Sequence, residues 1–132
     1  MKAHETGIKR IMNAFVYSYQ GFCAAFRSEA AFRQDIAFVI IFGAIACWLD
    51  VPIFQRACLI FALILILMAE LVNTAIETII DRISEDYHEL SKKAKDIGSL
   101  LVLISFIGNA VLWGGVLWEN YSRIASQISE LL

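Results

Sequence analysis

Residues 57–80 read ACLIFALILILMAELVNTAIETII. The first half is an apolar run up to Ala69. The second half sets Glu70, Asn73 and Glu77 into otherwise apolar sequence. A helix of about 20 such residues crosses the hydrocarbon core of a bilayer. The polar trio is spaced i, i+3, i+7, so it falls on one helix face about a turn apart, and Asp81 extends that face. Carboxylates within a span are costly and rarely face lipid, so these need a cation, a proton or a partner.

Two further spans flank this one. Residues 30–49 form the first, uncharged over 36–49. Its inner turn carries Arg33, Gln34 and Asp35, which must sit near headgroups or inside an assembly. Asp50, Val51 and Pro52 end it, because proline cannot continue a helix and restrains the residue before it. Residues 97–118 form the third span, without a charged side chain. Trp113 and Trp118 near its far end fit an interfacial aromatic belt. The stretch 81–96 reads as a polar loop dense in both charge signs. Residues 7–26 read as an amphipathic helix. Ile8, Ile11, Met12, Phe15, Tyr19, Phe22, Cys23 and Phe26 make one stripe, and Lys9, Arg10, Asn13, Tyr17 and Gln20 lie opposite. That split suits a membrane surface; a soluble bundle helix is the alternative, disfavoured by the apolar sequence that follows. The tail from residue 119 to 132 is mildly amphipathic and is expected on the surface.

Composition agrees. The chain has 132 residues, 59% of them hydrophobic, and a domain this small has too little interior to hide them from water. A bilayer accepts that surface. One proline, no Ser/Gly/Pro linker and no repeat leave a single membrane domain over 1–132. The net charge of -2 suggests no nucleic-acid partner. Cys23, Cys47 and Cys58 are odd in number and lack metal-ligand spacing, so they read as small apolar filler. Residues after Met1 are polar, and no leader is expected. Lys2, Lys9, Arg10, Arg27 and Arg33 precede or open the first span, and Arg82, Lys92, Lys93 and Lys95 lie between the second and third. Only Arg56 and Arg123 fall on the other side. Positive residues stay cytoplasmic, which puts the N-terminus and the charged loop inside and the C-terminus outside.

Glu29, at the inner start of the first span, lies at a depth where it could meet Glu77. Two carboxylates near a membrane surface, with basic residues close by, could hold Mg²⁺ and nucleotide phosphates. Pairing of these acids with Arg33 or Arg82, to set helix assembly, is the bland alternative, and spacing alone leaves both open. No Walker A sequence, protein-kinase Gly-rich loop or dinucleotide fingerprint is present. Gly114 and Gly115 read as a close-packing spot, and His88 as a solvated residue of the polar loop.

The segments EAAFRQ (29–34), ACWLDV (46–51), Glu70 with NTAIE (73–77), DRI (81–83), YHELS (87–91) and AKDIGS (94–99) resemble those of the prokaryotic diacylglycerol kinases. The likeness runs from about residue 7 to 118. It implies an all-α integral membrane homotrimer in the bacterial inner membrane, with three transmembrane helices and an N-terminal amphipathic surface helix per chain. It further implies sites shared between subunits, ATP as co-substrate with Mg²⁺, and diacylglycerol as the acceptor drawn from membrane lipid. Carried onto this chain, the general base falls on Glu70 and the metal carboxylates on Glu29 and Glu77. ATP contacts fall on Arg10, Tyr17, Glu29, Asn73, Glu77, Asp86, Tyr87, His88, Lys95 and Asp96. Lipid contacts fall on Arg10, Ala14, Tyr19, Cys23, Phe26, Ala31, Asp35, Trp48, Val51, Arg56, Glu70, Ser99 and Trp113. Asp35 and Asp86 stand where the family pattern has glutamate, keeping the charge but shortening the reach. Tyr19 and Gln20 replace a Trp-Lys pair, and the tail past Tyr121 is longer than the pattern.

The reaction so implied is transfer of the γ-phosphoryl of ATP to the hydroxyl of diacylglycerol. The rivals are an undecaprenol kinase of the same fold, a small ion- or proton-coupled transporter with Glu70 and Glu77 as relay, and a non-catalytic assembly protein. Diacylglycerol-dependent ATP consumption separates the first reading from the others.

Overall fold

The computed structural model describes residues 7–132; Lys2, counted for orientation, lies outside them. Five helices follow one another: α1 (Ile8–Ser28), α2 (Ala30–Trp48), α3 (Ile53–Ile83), α4 (Glu89–Glu119) and α5 (Tyr121–Ser129). Three of them, α2, α3 and α4, are long and apolar enough to cross a membrane. At 31 residues each, α3 and α4 are about 46 Å long by a rise of 1.5 Å per residue, longer than a hydrocarbon core of about 30 Å. Their charged ends therefore project beyond it.

Each helix end has a visible cause. Glu29 is extended and breaks α1 from α2. Arg33 Nη1 donates to the carbonyls of Phe26 (2.9 Å) and Arg27 (3.2 Å), two of the last carbonyls of α1 that no helical N–H can reach. Pro52 is the N-cap residue of α3, where its missing N–H costs no helical bond. Arg56, one turn into α3, donates Nε to the Ala46 carbonyl (3.1 Å) and Nη2 to that of Leu49 (2.9 Å), closing the end of α2. At the other end of the bundle, His88 caps α4 by accepting from the Leu90 N–H through Nδ1 at 3.2 Å.

The polar stretch 81–96 is mostly helical, contrary to its reading as a loop. Only 84–88 connects the two helices. Two ion pairs tie it together: Lys95 Nζ meets Asp81 Oδ1 across the hairpin at 2.6 Å, and Lys92 pairs with Asp96 one turn on. Such i,i+4 pairs support a helix in water, so high charge density did not mean a break.

The core is small and lies towards the α2–α3 turn. Ala46, Leu49, Val51, Leu59, Leu63, Ile66, Trp113 and Val116 are buried together, with Phe38, Phe42, Phe106 and Ile124 against them. Trp113 is thus a core residue, not a belt residue. Its ring meets Phe42 edge-on at 5.3 Å, and Trp118 alone of the pair is open, at 85% exposure. Position 113 faces α2, whereas 118 lies beyond the packed layer. Large apolar side chains such as Ile40, Phe61, Met68 and Val111 are exposed along the spans, as expected where lipid or another chain replaces water.

Candidate active site

On α3, Glu70 and Asn73 are buried, at 5% and 9% exposure, and Glu77 is half-buried one turn further. The i, i+3, i+7 spacing has put all three on the side facing the other helices. Asn73 Nδ2 donates to Glu77 Oε1 at 3.2 Å, which fixes that carboxylate relative to the helix. Asn73 Oδ1 is buried without a hydrogen-bond partner. A buried amide oxygen left unpaired costs about 1–3 kcal/mol, and this one lies against Gly98 of α4.

The helix opposite is α4, brought close by Gly98. A Cβ there would overlap Asn73 Oδ1 and stand 3.3 Å from Asn73 Cγ and 3.6 Å from its Cα. Gly98 is the residue that sequence reasoning missed. It sat within the quoted AKDIGS motif, but nothing in its spacing marks it as a packing position.

Two more carboxylates come from the start of α2. Half-buried Asp35 and Glu29 lie close enough to Glu70 for their charges to act on it, as does Glu77. Glu29 Oε1 also accepts from Ser28 Oγ at 2.9 Å. Three other acids thus act on the buried Glu70. The bland alternative loses half its support, because the Arg33 guanidinium is engaged with the carbonyls of Phe26 and Arg27.

Other expected site residues sort by place. Lys95 and Asp96 sit about one turn from Gly98 towards the charged hairpin, and Ser99 is adjacent to it. Asp86 and Tyr87 lie in the connection; the Asp86 N–H donates to Ser84 Oγ at 2.9 Å, and His88 Nδ1 is engaged as a cap. Arg10, Ala14 and Tyr17 lie far out on α1. Arg10 is 19 residues before Glu29 on an uninterrupted helix, about 28 Å away along it. Phe26 and Cys23 are nearer, where Phe22 packs edge-on to Phe32 at 5.8 Å. Tyr19 and Cys23 are one turn apart, and their hydrogen bond, more than charge or burial, holds the Tyr19 phenol above its ordinary range. Trp48, Val51, Arg56 and Trp113 gather at the opposite end of the bundle. Arg56 lies 14 residues before Glu70 on α3, about 21 Å away. Val51 and Trp113 are buried, and Arg56 is committed to carbonyls. One headgroup cannot touch both groups of assigned lipid contacts.

Among the described residues no three His, Cys, Asp or Glu side chains gather into a cation cage. A metal held wholly by protein therefore does not fit. Mg²⁺ held through one or two carboxylates, with phosphate oxygens completing the shell, does fit the carboxylates of Glu29 and Glu77.

Fold and site together define a small helical membrane protein with a buried acidic cluster beneath a charged helical hairpin, and with none of the usual phosphate-binding loops. The chain belongs to the prokaryotic diacylglycerol kinase family, whose model matches residues 16–117. It is 45% identical over 121 residues to a diacylglycerol kinase of Escherichia coli K12, covering 92% of this chain and 99% of that protein. It is similar to those of Pseudomonas aeruginosa, at 45% over 113 residues (86% and 92% of the two chains), and Haemophilus influenzae, at 36% over 113 residues (86% and 96%).

Proposed function

We infer that this protein is an ATP-dependent diacylglycerol kinase of a bacterial membrane. Family membership and the relatives' activity support the reaction. The observation that carries the site is Glu70, a carboxylate buried at the middle of a spanning helix with Asn73 and Glu77 following on the same face. Such a group, ringed by other acids, suits a base more than a structural ion pair.

In the proposed reaction the diacylglycerol hydroxyl reaches Glu70 from the lipid side. Glu70 accepts its proton as the oxygen attacks the γ-phosphorus of ATP; the bond to the β-phosphate oxygen breaks, and phosphatidate and ADP leave. Asn73 holds Glu77, and Glu77 with Glu29 would face the phosphates through Mg²⁺, which supplies charge neutralisation when bound. Lys95, one turn from Gly98 on α4 and paired with Asp81, would turn its positive charge to the phosphates. Most of the rate enhancement is then positioning and electrostatics.

We further propose a homotrimer with its N-terminus and charged hairpin in the cytoplasm. Exposed apolar faces on α2, α3 and α4 and a groove of about 850 Å³ between α3 and α4, lined by Phe61, Ala62, Leu65 and Met68, support burial against other copies. The basic residues at the hairpin end support the orientation. The exposed stripe of α1, with Ile8, Phe15 and Tyr19 open, supports its place as a surface helix in the headgroup boundary. The deciding experiment is a detergent-micelle assay with labelled ATP, offering diacylglycerol and undecaprenol in parallel. Phosphate transfer to diacylglycerol is expected. Transfer to undecaprenol alone would overturn the substrate, and transfer to neither would overturn the kinase reading.

A further inference from the structure

The family model stops at residue 117, before α5 begins. That helix has a defined seat. Gln127 grips the α2–α3 turn at two points: Nε2 donates to the Trp48 carbonyl at 2.6 Å, and Oε1 accepts from the Asp50 N–H at 2.9 Å. Arg123 lies 3.4 Å from the Asp50 carboxylate, and Ile124 packs on the core. Buried Asn120, ahead of the helix, donates to Gln55 Oε1 at 2.6 Å and to the Val116 carbonyl at 2.8 Å.

With Arg56 already on the carbonyls of Ala46 and Leu49, four backbone groups of this turn are bound by side chains where water would ordinarily serve. Such closure is what a turn near the membrane requires. The rest of α5 divides by face. Arg123, Ile124 and Gln127 face the chain. Tyr121, Ala125 and Ile128 recur at i, i+4, i+7 on a second face, with Tyr121 and Ile128 exposed, and Leu131 is exposed just past the helix. Ser122, Ser126 and Ser129 make a third, polar face. The same end of the bundle carries Trp118, Ile53 and Phe54, all more than three-quarters exposed. The open apolar edge of α5 thus continues a belt that the spanning helices already present to lipid.

We propose that α5 is an interfacial anchor: its Tyr121–Ile128 edge lies in the headgroup–acyl boundary of the membrane surface opposite the charged hairpin, while Gln127 and Arg123 tie it to the α2–α3 turn. The inference rests on the spanning helices and not on the kinase reading.

The test uses the full chain with Cys23, Cys47 and Cys58 replaced by alanine, in phosphatidylethanolamine/phosphatidylglycerol nanodiscs that expose both faces. Single variants Ser122→Cys, Ala125→Cys, Ser126→Cys and Ile128→Cys carry an environment-sensitive fluorophore. Nitroxide on the acyl chains should remove most of the signal at 125 and 128 and little at 122 and 126; aqueous iodide should do the reverse. Equal iodide quenching at all four sites places the helix in water and overturns the proposal. Protection of 125 and 128 from both quenchers means that another protein surface covers them, and overturns it too. For the tie, hydrogen exchange at the Asp50 amide should speed up at least about tenfold in Gln127→Ala, the factor for losing ~1.4 kcal/mol of protection. Unchanged exchange would remove the tie from the proposal.

Discussion

Replacing Gly98 with alanine adds one methyl group, and the site has no room for it. That carbon would overlap Asn73 Oδ1 and lie 3.3 Å from Cγ and 3.6 Å from Cα of the same residue. The Cα is backbone and holds α3 in place, so the amide must swing away or the helices must part. Overpacking of this kind costs about 1–3 kcal/mol. Swinging the amide also breaks the 3.2 Å bond to Glu77, and a hydrogen bond to a charged group contributes about 1.5–3 kcal/mol. If the Asn73–Glu77 arrangement serves the nucleotide, kcat/KM for ATP should fall roughly ten- to hundredfold at 1.4 kcal/mol per tenfold, with KM for diacylglycerol changing less. The assay is steady-state phosphate transfer in micelles, varying each substrate, with a thermal melt to follow the helix pair. A double-mutant cycle isolates the cause. In an Asn73→Ala background the obstruction is gone, so Gly98→Ala should add little further loss. Strictly additive losses, or wild-type ATP kinetics in Gly98→Ala alone, would refute the coupling.

Four further outcomes are expected. Glu70→Gln should abolish turnover by at least about a hundredfold while leaving the melt unchanged, since the amide keeps the shape and loses the basicity; near-native rates would remove Glu70 as the base. Glu29→Gln and Glu77→Gln should each raise the Mg²⁺ concentration needed for half-maximal activity, because each removes one hard oxygen ligand; an identical metal titration in both would count against the pair. Mixing inactive Glu70→Gln with inactive Asp96→Asn should restore part of the activity if a site combines residues of two chains, and no recovery in mixed oligomers would exclude a shared site. Phe15→Glu should raise the apparent KM for diacylglycerol by about tenfold or more and that for ATP less, because a charge resists the acyl boundary; an unchanged lipid dependence would remove α1 as the lipid's gate.

The spans and the acidic face of α3 were legible because each rests on periodicity. An apolar run of sufficient length, and acids at i, i+3, i+7, constrain a helix whatever surrounds it. What failed to show was set across helices. The pairing of Asp81 with Lys95 turns a charged stretch into two helix ends, and it depends on a hairpin geometry that no local pattern encodes. Trp113 and Trp118 look alike in sequence, yet one packs on Phe42 and the other lies open, because only the partner helix decides which face is inside. Gly98 mattered through the atom it lacks. Arg33 looked like a partner for the acids and Arg56 like a lipid contact, and both are occupied with helix-end carbonyls. α5 was read as a tail because its seat is set by Gln127 and Ile124 against the α2–α3 turn, a contact that no local pattern encodes.

The placement of Arg10 and Tyr17 bears on how many chains a site needs. The family resemblance gives both to the nucleotide, together with Glu29 and Glu77. Yet α1 runs without a break from Ile8 to Ser28, which sets Arg10 about 28 Å from the start of α2 by helix rise. An arginine side chain recovers only about 7 Å of that, roughly six bonds of reach. Within one chain, then, Arg10 cannot touch a phosphate that Glu29 also faces. A second chain whose α1 passes the hairpin of the first removes the conflict, and it does so without moving any helix within a chain. The same step would cover the apolar groove between α3 and α4, where Phe61 and Met68 are otherwise exposed. Two unrelated difficulties, a residue too distant and a surface too apolar, thus have one remedy in oligomer formation, and this is why the mixing experiment discriminates more sharply than any single substitution in the acidic cluster.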